Sequence, residues 1–237
     1  METVPCSLKM TLDAIFVPQG VEYQTVKREF DRSPSRNQTL GKSPLIVAIP
    51  VGIDPVRQFL RTWKSQHPQV SRVLLMGLAG SLSPQWTPGT ATLCHECVTV
   101  EGTAVTSEAN WINSLSLELP EVRACTVEKA VVRAEDKRQL YRTTQADIVE
   151  MEGLAVFEAF SEAAMVRVVS DGSDRDIPDL SEAIDPSGRL KPLALSLAFV
   201  RQPRAAFHLI RGSMAGLQSL KQITRQMVAK IARSHET

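Results

Sequence analysis

Short apolar runs alternate with stretches of helical periodicity along almost the whole chain. Leu12 to Val17 predicts a first strand, and Glu22 to Phe30 the helix after it. Asp31 to Ser43 is polar and rich in Ser, Arg and Asn, which predicts a loop or hairpin connection. Leu45 to Pro50 predicts a second strand, after which Asp54-Pro55 opens a helix with Asp as N-cap and Pro at the first position. Val73 to Met76 is a third strand, running straight into Gly77-Leu78-Ala79-Gly80-Ser81. Thr90 to Val100 and Val122 to Val132 read as longer strands, and Lys137 to Thr143 as a short helix. Ile148 marks a short strand before a helix from Gly153 to Ala164, with Leu154, Phe157 and Phe160 on its inner face. Near the end of the chain Met214, Leu217, Leu220, Met227 and Ile231 form an apolar stripe at helical spacing. Strands alternating with helices imply an α/β protein, a three-layer αβα sandwich around a mixed, largely parallel sheet.

The length of 237 residues suits one large α/β domain, and no repeat, low-complexity tract or linker divides it, so residues 1–237 are expected to form a single domain. Lys and Arg total 27 against 26 Asp and Glu, so the overall charge carries no footprint of nucleic acid or an anionic membrane. A small neutral or weakly charged ligand fits better. Four cysteines (Cys6, Cys94, Cys97 and Cys125) are too few for a disulfide framework at this length and point to a reducing compartment. No stretch reaches the roughly 18 apolar residues of a membrane span, and Pro5, Cys6 and Lys9 interrupt any signal-peptide pattern. A cytoplasmic protein without a membrane span is expected.

Candidate chemistry concentrates at two strand ends. Asp147-Ile148-Val149-Glu150-Met151-Glu152-Gly153 carries a carboxylate to the start of a helix, and Met165-Val166-Arg167-Val168-Val169-Ser170-Asp171 ends a second apolar strand in charge. Carboxylates among apolar residues are costly unless paired or bound to a ligand, so the two ends predict one polar pocket at a sheet edge. Singly, Glu152 reads better as a helix cap and Asp171 as a turn former; with Arg167, Ser170 and Glu22 they form a set that stability alone does not explain. Gly77 and Gly80 could let backbone N–H groups approach a ligand, or simply make a tight turn. They lack the third glycine of a dinucleotide fingerprint, and no Gly-Lys-Ser/Thr phosphate loop occurs. Cys94-His95-Glu96-Cys97 has half-site spacing but lies in a strand without a second ligand pair, so a structural role is expected and no metal. His67 and His208 have no partner at useful spacing, no Gly-x-Ser-x-Gly elbow is present, and Asp174-Arg175-Asp176 reads as a solvated loop at the mouth of the site.

The two motifs resemble those of the nucleoside phosphorylase/nucleosidase family, particularly the 5′-methylthioadenosine/S-adenosylhomocysteine nucleosidases. The resemblance runs from about Leu12 to the C-terminal helix. It implies that Glu152 holds the ribose 2′- and 3′-hydroxyls, Met151 packs on the sugar, and Asp171 protonates N7 of the purine with Ser170 orienting it. It further implies that Glu22 activates water, Arg167 helps to place that water, Ala79 and Gly80 line the sugar and anion side, and Val131 or Val132 borders the base. An N7 donor must stay protonated near neutral pH, which desolvation by Val168 and Val169 would favour. Phosphorylases of this kind place an arginine two residues before the first glycine, a serine directly after it, and an arginine after the first strand; here stand Leu75, Leu78 and Gln24. Loss of those donors with Glu22 kept favours water over phosphate, although nucleosidases too usually carry serine at the Leu78 position. Val127-Glu128-Lys129-Ala130-Val131-Val132 with Lys137 and Leu140, and the ending Ile177-Pro178 … Asp185-Pro186-Ser187-Gly188, look like the hopanoid-associated phosphorylase-like proteins, which take adenine from adenosylhopane. The expected activity is hydrolysis of the N-ribosyl bond of a 5′-substituted adenosine, without a metal or organic cofactor and in a homo-oligomer. A phosphorylase with phosphate as co-substrate and a non-catalytic nucleoside-binding relative are the alternatives.

Overall fold

Strands β1 (Ala14–Pro18), β3 (Val73–Ser81) and β8 (Ala163–Asp171) are apolar at nearly every position because both of their faces are covered. Alternate residues serve opposite layers. Ala14, Phe16, Val73, Leu75, Ala163 and Met165 pack under α2 (Ile53–Gln66) and α4 (Gly153–Ala159), through Val56, Leu60, Trp63 and Phe157. Ile15, Val17, Leu74, Met76, Ala164 and Val166 face α1 (Val21–Asp31) and α6 (Pro203–Ser234), through Val26, Leu220, Ile223 and Met227. The three layers are those the sequence pattern predicts. The computed structural model describes residues 12–32, 43–189 and 191–234, so Cys6 and most of the Asp31–Ser43 connection lie outside the described residues.

The sheet is mixed and largely parallel. Its order is β2 (Leu45–Ile49), β1, β3, β7 (Ile148–Glu150), β6 (Glu121–Thr126), β4 (Ala91–Val98), β5 (Ala104–Thr106). Strand β8 pairs with both β3 and β4, so β3, β7, β6, β4 and β8 close into a ring. The closure places the ends of β3, β7 and β8 around one opening, beneath α6 and beside α3 (Ala134–Thr144) and α5 (Pro192–Arg201).

Several boundaries differ from the sequence expectation. The Gly77–Ser81 segment is not a loop: it continues β3, paired with β8 and, at Gly80 and Ser81, with β7. Helix α2 is capped by Gly52 at φ 99°, so Asp54 lies inside the first turn rather than at the N-cap. Strands β4 and β6 stop at Val98 and Thr126, and helix α4 stops at Ala159. Cys94 and Cys97 sit in β4 on one buried cluster because a bulge between Cys94 and Glu96 resets the alternation. Burial pushes both thiols up, away from the thiolate that metal binding or redox chemistry needs. Met214 is the exception in the α6 stripe; it is exposed, whereas Leu220, Met227 and Ile231 are buried.

Candidate functional site

A cavity of about 460 Å³ opens at the ends of β3, β7 and β8. Glu22, Ala79, Gly80, Val131, Met151, Glu152, Ser170 and Asp171 all line it. Two residues proposed from the sequence do not. Val132 is outside the lining and its carbonyl accepts the Ile177 N–H at 2.9 Å. Arg167 lies behind the wall, wholly buried.

Helix α1 begins directly after β1, which carries Glu22 to the end of β3. There Glu22 Oε1 accepts the backbone N–H of Leu78 at 2.5 Å. Burial pushes its carboxyl up to about 7; the Leu78 N–H and the Arg167 charge oppose that rise and Glu152 adds to it. Gly77 leaves the space for this approach, since a Cβ there would collide with Arg167 Nη1 and lie 3.2 Å from Glu22 Oε1.

Glu152 occupies the N-cap position of α4, yet its side chain makes no capping bond. Glu150 does: its Oε2 accepts the N–H groups of Glu152 at 2.9 Å and Gly153 at 2.6 Å. Thr126 donates to Glu150 Oε1 and accepts the Leu154 N–H at 3.0 Å. Glu152 is thereby left to the cavity, with Oε1 on the Gly52 N–H at 3.0 Å and Oε2 on Arg167 Nη2 at 2.9 Å. The same Nη2 donates to Glu150. Burial opposes charge on Arg167, but Glu150, Glu152 and Glu22 outweigh it and hold the guanidinium firmly protonated. Among the described residues its Nε and Nη1 have no hydrogen-bond partner.

Asp171 is aimed by a bulge. Strand β8 pairs Val169 with Ala79 and then Asp171 with Gly80, leaving Ser170 without a partner across the strand. Ser170 Oγ donates to Asp171 Oδ1 at 2.7 Å, with the Ala79 carbonyl at 3.1 Å as the other acceptor in reach. Lys137 of α3, absent from the sequence-based site, donates from Nζ to Asp171 Oδ2 at 2.5 Å and to the carbonyls of Gly172 at 2.9 Å and Arg175 at 3.3 Å. It is 1% exposed. The polar partner that the structure sets against Asp171 is thus a buried lysine, which the apolar neighbours Val168 and Val169 do not reveal. Asp174, Arg175 and Asp176 are exposed as expected, but Asp176 also accepts the Ala134 N–H at 2.8 Å and ties the loop to the start of α3.

The remaining wall comes from α6 and α5. Gly212 and Gly216, one turn apart, let α6 cross β8 closely: a Cβ on Gly212 would strike the Ser170 carbonyl, and one on Gly216 would lie 2.9 Å from Leu78 Cδ2. Leu195 and Phe199 of α5 and Leu209, Ile210, Met214 and Leu217 of α6 give this side an apolar lining. Among the described residues the charged lining is acidic, namely Glu22, Glu150, Glu152 and Asp171, and no Lys, Arg or His lines the cavity. Among the described residues no group of His, Cys, Asp and Glu could hold a metal ion.

The sequence matches no family model and no curated protein. Solved structures do match. Futalosine hydrolase of Helicobacter pylori is 15% identical with a TM-score of 0.64, covering 94% of this chain and 99% of that one. The 5′-methylthioadenosine/S-adenosylhomocysteine nucleosidase of Campylobacter jejuni is 11% identical with a TM-score of 0.65, covering 94% and 100%. That of Colwellia psychrerythraea, solved in complex with adenine, is 12% identical with a TM-score of 0.64, covering 93% and 96%. Over almost its whole length, the chain has the fold of these nucleosidases.

Proposed function

We propose that the chain is a nucleosidase that hydrolyses the N-ribosyl bond of a 5′-substituted adenosine and releases adenine. The observation that carries this reading is the wholly acidic charged lining of the cavity. Cleavage of an N-glycosidic bond builds positive charge on the sugar, which a carboxylate such as Glu152 stabilises, whereas a phosphate dianion would find no Lys, Arg or His among the described lining residues to receive it. Glu22 also occupies the Leu78 N–H, a donor that a bound anion would otherwise take. Both features favour water over phosphate.

In this reading Glu152 accepts the ribose 2′- and 3′-hydroxyls and Met151 packs on the sugar, with Ala79 and Gly80 beside it and Val131 along the base. As the C1′–N9 bond breaks, Asp171 gives a proton to N7, and the electron pair of the bond leaves with the neutral base. Lys137 is the partner that returns a proton to Asp171, and Ser170 fixes the orientation of the carboxyl group. Glu22, with its carboxyl near 7, takes a proton from the water that attacks C1′. Arg167 acts from behind, holding Glu152 in place. The apolar wall from α5 and α6 suits a large apolar 5′ substituent, as in adenosylhopane, better than a small polar one.

The test is to incubate the purified protein with 5′-methylthioadenosine or adenosine, with and without phosphate, and follow adenine by chromatography. Release without phosphate, with free sugar as the second product, is expected. Release only with phosphate would make it a phosphorylase. If neither substrate nor a 5′-alkylated analogue is cleaved while Asp171→Asn binds nucleoside as tightly as the unaltered protein, the chain is a binding protein.

A further inference from the structure

Helix α5 is apolar on two sides. Leu195 and Phe199 face the cavity, whereas Leu193, Leu197 and Val200, spaced i, i+4, i+7, point to solvent; Leu193 is 88% and Val200 76% exposed. Helix α6 repeats the pattern in its first turns, where Phe207, Ile210 and Met214 (i, i+3, i+7) lie 61%, 44% and 66% exposed. These are six of the nine large hydrophobic side chains exposed among the described residues, gathered at the rim of one cavity. Such a patch on a water-soluble surface marks an interaction site.

The charge of this region is as one-sided as its hydrophobicity. From Pro186 to His235 the sequence holds nine Lys and Arg and no Asp or Glu, which leaves 18 Lys and Arg against all 26 Asp and Glu elsewhere. The near-neutral total conceals that asymmetry. Lys221 and Arg225 are engaged with Glu29 of α1, and Lys230 with the Ser116 carbonyl. Arg189, Lys191, Arg201, Arg204 and Arg211 are exposed around α5 and the start of α6, with Glu182 at 3.8 Å from Arg201. A second copy of the chain would bring the same cations against these, so the face is badly matched to itself. Aliphatic side chains ringed by Lys and Arg fit the boundary between headgroups and acyl chains of an anionic bilayer.

We propose that the outer face of α5 and the first turns of α6 dock on a bilayer bearing anionic headgroups, with the cavity mouth opening at that surface. The docking deepens the proposed function and rests on it for its purpose. A nucleoside whose 5′ substituent is embedded in lipid would pass along Ile210 and Met214, which are both exposed and part of the cavity wall, without its apolar portion crossing water. Among the described residues no helix is long and apolar enough to cross a membrane.

The experiment is flotation of the full chain with vesicles of phosphatidylcholine alone or mixed with phosphatidylglycerol, at low and high salt. Binding is expected to the mixed vesicles and to weaken with salt. Each of Arg204→Gln and Arg211→Gln should reduce it about fivefold, the effect of one basic residue near an anionic surface. Leu193→Ser with Val200→Ser and Phe207→Ser, all outside the cavity lining, should abolish it while circular dichroism and adenine release from water-soluble 5′-methylthioadenosine stay unchanged. Equal absence of binding to both vesicles overturns the proposal. So does a solution dimer that the triple variant dissociates, because a second copy would then cover the face. If vesicles bind but no nucleoside is cleaved, docking stands and the catalytic reading falls.

Discussion

Lys137 Nζ lies 2.5 Å from Asp171 Oδ2, a buried ammonium from α3 set against the carboxylate that ends β8. Two backbone carbonyls, of Gly172 and Arg175, complete its donors, so the cation is held in one place rather than free to swing away. If the pair supplies the proton to the leaving base, Lys137→Met should lower kcat by about 10²–10⁴-fold with KM little changed. Asp171→Asn should cost as much, and the double variant no more than either, because the two act as a unit. Thermal melting separates folding from chemistry. The single lysine variant leaves a largely buried carboxylate unpaired and should lose about 3–5 kcal/mol, much of which the double variant should regain. Full activity in Lys137→Met would sink the assignment.

Glu22 makes a pH prediction with a definite sign. A base with its carboxyl near 7 is ready only when deprotonated, so kcat/KM should rise through pH 6 to 8 and level off, and Glu22→Gln should remove both the limb and most of the activity. Stability should run the other way. The folded group holds its proton up to about 7 and the unfolded one only to about 4.5, so the folded state binds more protons between these values and loses stability as pH rises through them. The loss is at most about 3 kcal/mol. Glu22→Gln keeps an acceptor for the Leu78 N–H and should flatten that slope in melts across the range. An unchanged slope would place the titrating group elsewhere.

Gly80 is where the bulge, the cavity and Asp171 meet. An added Cβ would lie 3.0 Å from Asp171 Oδ2 and 3.1 Å from Val149 Cγ1, tighter than side chains normally pack. Gly80→Ala should push Asp171 off its bonds to Ser170 and Lys137 at a stability cost of about 1–3 kcal/mol and an activity loss of about 100-fold. A crystal structure of the variant with Asp171 unmoved, and activity intact, would overturn the account.

What the sequence made legible follows from burial on both faces. Strands β1, β3 and β8 are covered above and below, so they read as continuous apolar runs, and the charges of Arg167 and Asp171 stand out at the end of β8. The glycines of β3 misled for a physical reason. Gly77 and Gly80 look like turn formers, but each sits in a strand because a polar side chain, Arg167 or Asp171, occupies the space of its missing Cβ. Lys137 shows no sign of its place in the site, because a lysine in a polar helix reads as solvated and its partner lies 34 residues further along. Gly212 and Gly216 look unremarkable within a long helix until α6 is seen to cross β8. Helix α5 carries no such signal, since an apolar run facing the cavity on one side and solvent on the other has no polar face to mark its period.

Glu150 and Glu152 differ by two positions and should fail in different ways. Glu150 accepts from Arg167, Thr126 and two backbone N–H groups of α4, so it both caps the helix and balances a guanidinium that is fully buried. Glu150→Gln should therefore unfold the protein more easily by about 3–5 kcal/mol, a fall of roughly 6–20 °C in Tm for a chain of this size. Adding Arg167→Met should recover part of it by removing the unbalanced charge. Glu152→Gln leaves Arg167 its bond to Glu150 and keeps an acceptor for the Gly52 N–H, so its melting point should move far less. Its cost should fall on nucleoside binding, read as a raised KM or a weakened Kd, because the amide is a poorer acceptor for two sugar hydroxyls. If instead the two variants melt alike and bind alike, the division of labour between the cap and the cavity carboxylate does not exist.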